Sequence, residues 1–272
     1  MDTCLYKCQS DSDSTQIYHV YPQSASNLQV VLESGIVCDK CNAYFAKLEN
    51  YFVHYQPGAS AKLLALKQTK KGKQPTFESN AGLATRTRTD EGLTLNIPFS
   101  DIRYEIKEDR SIVFNLAARG RPFDAAKISR VLGKIAIEFV SVQGPYPGLN
   151  LDAYSSEYDA LRHYVRFGTG ALKYVWFAYK DVRGEEGPPL IADFFDTDNQ
   201  LKGALCLIRL PGIHYLFPLP PFLETATLHK PLHDWTFVET AGIHPTKDFD
   251  ASFSLVPRKK DKDKREQESG DS

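Results

Sequence analysis

Four of the five cysteines in this chain fall within its first 41 residues, and their spacing is the clearest chemical statement the sequence makes. Cys38-Asp39-Lys40-Cys41 has the C-x2-C spacing of a zinc knuckle, and Cys4-Leu5-Tyr6-Lys7-Cys8 is the one-residue-longer C-x3-C form. Two thiolates so spaced can turn onto one ion at about 2.3 Å each, and two such pairs complete a tetrahedron. A redox C-x-x-C, or two unrelated pairs of buried cysteines, is the alternative reading of the same residues. Zinc also answers a stability question. A module of roughly 50 residues buries too little apolar surface to be secure alone, and a structural zinc contributes on the order of 10 kcal/mol of folding free energy.

The elements that would position these thiols are short. Residues 16–21 (QIYHVY) and 28–32 (LQVVL) read as strands. Asn42 to Val53 carries Tyr44, Phe45, Leu48, Tyr51 and Phe52 at helical spacing, which predicts an amphipathic helix leaving the second knuckle, broken at Pro57-Gly58. Residues 1–57 thus read as a cysteine module and residues 58–90 as a basic linker. Within that linker Lys62, Lys67, Lys70, Lys71 and Lys73 put five positive charges in twelve residues. Such a loop could neutralise several phosphates, or be ordinary solvated surface.

Residues 91–257 read as a larger α+β domain with an antiparallel sheet. Asp124 is placed to N-cap a helix with Ile128, Leu132, Ile135 and Phe139 on one face. A second helix over 155–167 stops at Gly168. Apolar runs at 93–99, 112–116, 172–179, 190–195, 204–210 and 214–219 read as strands, with a hairpin turn at 196–199. Cys206, inside one such run, reads as core. Residues 258–272 are charged and almost without apolar groups, and read as a disordered tail.

Composition excludes little. The chain of 272 residues is 42% hydrophobic and 25% charged with a net charge of −1, so contact with a polyanion must come from local patches. The first residues lack the apolar segment of a secretory signal, and the longest apolar stretch, around 135–142, is too short to span a bilayer. The expectation is a cytoplasmic protein without a membrane partner.

Order now adds to spacing. A cysteine pair is followed by Tyr18-His19-Val20-Tyr21-Pro22, then by Cys38-Asp39-Lys40-Cys41-Asn42 and a helix. This resembles the zinc-ribbon form of the HNH endonucleases. The stretch Gly35-Ile36-Val37-Cys38-Asp39-Lys40-Cys41-Asn42-Ala43-Tyr44-Phe45 is similar to one bacterial branch of that family, as are Lys70-Lys71-Gly72-Lys73 and Phe123-Asp124-Ala125-Ala126-Lys127-Ile128-Ser129-Arg130. The resemblance covers most of residues 4–142.

It implies a ββα-metal fold that hydrolyses phosphodiesters of DNA or RNA. His19 would be the general base, with Cys4, Cys8, Cys38 and Cys41 on structural zinc and Asn42 on a catalytic Mg²⁺ or Mn²⁺. Lys67, Lys70, Lys71 and Lys73 would meet the nucleic acid. The position before the histidine, acidic in the family, is Tyr18 here, and a neutral phenol is a poor ligand for a hard divalent ion. Glu33 or another acid must then supply the ligand, or the site does not cleave. Asn42 can equally be read as a helix N-cap, and His19 as a histidine packed against its strand. The alternative function is a catalytically inactive zinc-stabilised module that binds nucleic acid or a protein. A protein partner could also dock through the C-terminal domain.

Overall fold

A computed structural model describes residues 4–8, 17–22, 25–26, 28, 30–56, 59, 73–79, 82–89, 92–96, 104–106, 112–115, 124–143, 152–169, 175–179, 187–195, 201–211, 213–220, 236–239 and 252–255. The fold is α+β, with helices packed on small antiparallel sheets.

At the N-terminal end, strands β1 (Tyr18–His19) and β2 (Val31–Leu32) pair antiparallel, Tyr18 opposite Leu32 and His19 opposite Val31. Alternation along each strand buries Tyr18 and Leu32 and leaves His19 half-buried and Val31 exposed on the opposite face. Helix α1 (Asp39–Tyr55) follows. Its cap is Cys38, whose Sγ accepts from the Cys41 amide at 3.4 Å. Asn42 therefore stands inside the first turn, with its own amide bonded to the Cys38 carbonyl at 3.0 Å, and is not the N-cap. Cys41, Phe45, Leu48 and Phe52, spaced by three and four, form the buried stripe of α1.

The segment between Lys73 and Asn96 pairs as β3 (Thr76–Ser79), β4 (Gly82–Thr89) and β5 (Gly92–Asn96). Two of these strands lie within the stretch read as a basic linker. A second three-stranded sheet joins β6 (Tyr104–Ile106), β7 (Ile112–Asn115) and β13 (Ser252–Leu255). The largest sheet, in the order β12-β8-β11-β10-β9, holds β8 (Val175–Tyr179), β9 (Gly187–Phe195), β10 (Leu201–Leu210), β11 (Ile213–Leu219) and β12 (Thr236–Glu239). Cys206 is fully buried there, and burial pushes its thiol pKa up.

Helix α2 (Ala125–Gln143) runs through the middle of the molecule. Asp124 caps it, accepting from the Lys127 amide at 3.0 Å. From Ile128 to Val140 only Arg130 is not fully buried, because α1, α3 (Asp159–Phe167) and strands β10 and β11 all pack on α2. Gly133 marks the closest approach: a Cβ there would lie 2.7 Å from Val165 and 3.2 Å from Phe217. Gly168 ends α3 in the left-handed region at φ 74°, where a residue without Cβ is unstrained. A short 3-10 turn, Ser156–Tyr158, leads into α3.

The hydrophobic core is continuous from Cys4 to Leu219. Tyr21 Oη donates to the Gly187 carbonyl at 3.2 Å and Tyr215 Oη to Gln56, so polar contacts also tie the cysteine-bearing segment to the large sheet. Among the described residues no helix is long and apolar enough to cross a membrane.

Candidate metal centre

The two knuckles converge because the hairpin and α1 share one core. The Leu5 amide donates to the Ile36 carbonyl at 2.8 Å, laying the first knuckle beside the second. Tyr6 packs against Phe45 of α1, their ring centroids 4.6 Å apart and tilted by 55°. Lys7 turns the chain back toward Cys8 with a positive φ of 47°, its amide on the Cys4 carbonyl.

The four Sγ atoms of Cys4, Cys8, Cys38 and Cys41 consequently lie within 4.8 Å of one another, with Cys8 and Cys38 3.2 Å apart. Four thiolates on a tetrahedral zinc stand about 3.8 Å apart, so the set fits such an ion with small adjustments. None of the four is in a disulfide, and all but half-buried Cys8 are buried. The Cys41 thiol, hydrogen-bonded to Cys4, holds the Cys4 pKa down to about 5 against the opposing effect of burial. The same hydrogen bond, with burial, pushes Cys41 well up. Four thiols this close together are an arrangement in which a soft divalent cation would take the place of the protons.

Other charged groups surround the centre. Arg166, 8% exposed, donates from Nε to Cys41 Sγ at 3.2 Å, and its guanidinium lies 4.0 Å from the Tyr44 ring centroid. Lys134, behind β1, donates to the carbonyls of His19 at 3.2 Å and Val20 at 3.4 Å. It is ion-paired with Glu138 at 2.6 Å and Glu49 at 2.9 Å. Tyr6 Oη donates to the other oxygen of Glu138 at 2.9 Å.

The remaining sequence candidates divide. His19 is half-buried on the face of β1 opposite Tyr18, with its Nδ1 out of solvent, and Asn42 is half-buried in the first turn of α1. Glu33 is exposed just after β2, while the carboxylate brought to Tyr18 is that of Asp39, which accepts a hydrogen bond from its phenol. Lys73 is exposed; Lys67, Lys70 and Lys71 lie outside the described residues. Sequence reasoning passed over Asp39, Arg166 and the Lys134 network. The one signal for the last was a Lys and a Glu four apart inside the most apolar run of the chain.

No family model, no curated protein and no solved structure matches this chain.

Proposed function

We propose that residues 4–56 form a zinc-stapled ββα module of the HNH type that hydrolyses nucleic-acid phosphodiesters. The observation that carries this reading is the succession of β1, β2 and α1 around four converging thiols, with His19 half-buried on the face of the hairpin opposite Tyr18 and its Nδ1 out of solvent. In this reading Cys4, Cys8, Cys38 and Cys41 hold zinc, which serves the fold. His19 takes the proton from the attacking water, a role suited to the side chain whose ordinary charge change falls near neutral pH. A catalytic Mg²⁺ or Mn²⁺ would offset charge developing on the phosphate. Asn42 and Asp39, three residues apart on one helical face, would hold that ion. Asp39 thereby replaces Glu33 as the acid that compensates for Tyr18. Lys73 and the lysines before it would meet the phosphates of DNA or RNA.

A second reading has one specific observation in its favour. Tyr18 engages Asp39, so that carboxylate is occupied by a phenol. On this reading the module no longer cleaves, and binds nucleic acid or a protein partner instead.

Incubating the full chain with plasmid DNA and with RNA, in Mg²⁺ or Mn²⁺, separates the two. The nuclease reading expects cleavage that falls by about 10²- to 10⁴-fold in His19→Ala, the range for losing a general base. Tyr18→Asp sets a second carboxylate beside Asp39. It should therefore raise the cleavage rate, and its thermal stability should increase with added Mg²⁺, since ion binding offsets the repulsion. Absence of cleavage in both wild type and Tyr18→Asp, with nucleic-acid or protein binding retained, selects the second reading.

A further inference from the structure

We infer that Arg166 is an outer partner of the metal centre, donating its Nε–H to the Cys41 thiolate and supplying positive charge to a tetrathiolate zinc site. This inference rests on the reading of the four cysteines as zinc ligands, and assigns a role to a residue 125 positions away from Cys41.

Charge is the first reason. A guanidinium never loses its proton at ordinary pH, and burying it without a counter-charge is costly. Arg166 is 8% exposed, and among the described residues no carboxylate lies within ion-pair distance of it. The anion-forming group it does contact is the Cys41 sulfur, at 3.2 Å. Four thiolates on one Zn²⁺ leave a net charge of about −2, which a buried cation aimed at a sulfur partly neutralises.

Placement is the second reason. Tyr44, on the same helix as Cys41, stacks under the Arg166 guanidinium at 4.0 Å. Tyr44 Oη accepts from Arg130 Nη2, and Arg130 also donates to the carbonyls of Val165 at 3.1 Å and Arg166 at 3.0 Å. Backbone and side chain of Arg166 are both held, so the direction of its N–H is set before any metal arrives. At the other end of α3, Asp159 pairs with Lys7, between Cys4 and Cys8, at 2.7 Å. One helix therefore touches both knuckles: through a surface ion pair at its start, and through a sulfur at its end.

The test is zinc affinity of the full chain by chelator competition, with the absorption of the cobalt-substituted protein as a second readout. Arg166→Met should weaken zinc binding about 10- to 100-fold, the range for an outer-shell partner. It should also shift the sulfur-to-cobalt charge-transfer band, because a thiolate that loses a hydrogen bond is a better electron donor. Arg166→Lys, which keeps charge and most of the stem, should fall between and remain folded by circular dichroism. Lys7→Gln removes the ion pair between α3 and the first knuckle without touching a sulfur, and should leave affinity and band unchanged. Wild-type affinity and an unmoved band in Arg166→Met would overturn the inference while leaving the zinc centre standing. So would a Lys7→Gln loss as large as that of Arg166→Met, since docking of α3 would then be the cause. Wild-type protein that never holds zinc would overturn the metal reading and this inference with it.

Discussion

Cys38→Ser is expected to emerge from purification without zinc and to unfold well below the wild type. The substitution is informative because Cys38 has two roles that serine separates. As the N-cap of α1 it accepts from the Cys41 amide, and serine is among the best residues at that position. As a ligand it offers a soft thiolate, which the hydroxyl cannot replace. Any large loss is then a loss of metal, not of the cap. The damage should spread beyond the knuckles, because Phe45 and Phe52 of α1 belong to the core that continues through α2 to β11. If even about a third of a structural zinc's contribution is lost, on the order of 3 kcal/mol, Tm should fall by about 6–12 °C for a chain of this size. Metal analysis should find about one zinc per wild-type chain. Treating the wild type with a strong chelator should bring its Tm to that of the Cys38→Ser protein. Zinc-free wild type from unchelated preparations, melting at the same temperature as Cys38→Ser, would sink the idea.

The convergence of the four thiols was legible in the sequence because a shared metal ion would impose short, fixed separations of the kind seen in C-x3-C and C-x2-C. The helices were legible for a related reason. The stripe Cys41, Phe45, Leu48, Phe52, the capping carboxylate of Asp124 and the left-handed stop at Gly168 are all local signals. Strands β10 and β11 announced themselves as apolar runs because each is paired on both sides within the sheet, and edge strand β9 did so through its run Leu190–Phe195. Strand β4 did not. Its sequence GLATRTRT alternates threonine with arginine and offers no apolar face to detect. The cap of α1 was missed because asparagine caps often and cysteine seldom, so Asn42 drew the reading that belongs to Cys38.

Contacts across the chain were out of reach for a different reason. Nothing in the local sequence of α3 connects Arg166 to Cys41, and nothing near Tyr18 singles out Asp39 over Glu33. Arg166 meets Cys41 only once α1 and α3 share one core, and Tyr18 meets Asp39 only once β1 packs beside the start of α1; a reading in segments divides that core at the loops. The order β12-β8-β11-β10-β9 places β8 beside β11 and β12 beside β8, neighbours far apart in sequence that nothing written within β12 announces.

Lys134→Met should cost about 3–5 kcal/mol of stability, the usual consequence of removing one partner from a buried ion pair. Lys134 and Glu138 are 3% and 1% exposed, so methionine would strand the Glu138 carboxylate together with the carbonyls of His19 and Val20. Glu138→Gln should cost less. Lys134 would keep Glu49 at 2.9 Å, and the new amide could still accept from Tyr6. Combining Lys134→Met with Glu138→Leu should recover part of the loss, because an apolar pair in the same space carries no desolvation cost. The pH dependence has a definite sign. Burial pushes the Glu138 carboxyl up from its ordinary 4.5 to about 7, against the pull of Lys134. Burial disfavours the Lys134 ammonium too, but the carboxylates of Glu138 and Glu49 outweigh it and hold its pKa above the lysine range. Because burial raises the Glu138 pKa, the folded chain gives up that proton at a higher pH than the unfolded chain and pairs the carboxylate with Lys134 only above it, so stability contributed by this group falls as pH rises through that range. Urea midpoints across that window should decline with pH in the wild type and flatten in Glu138→Gln. Because Lys134 grips the carbonyls at the end of β1, hydrogen exchange at the Val20 amide, bonded to the Val30 carbonyl at 2.9 Å, should also accelerate in Lys134→Met. Equal stability of Lys134→Met and wild type, with unchanged exchange at Val20, would show that the buried charges support neither the core nor the strand that carries His19.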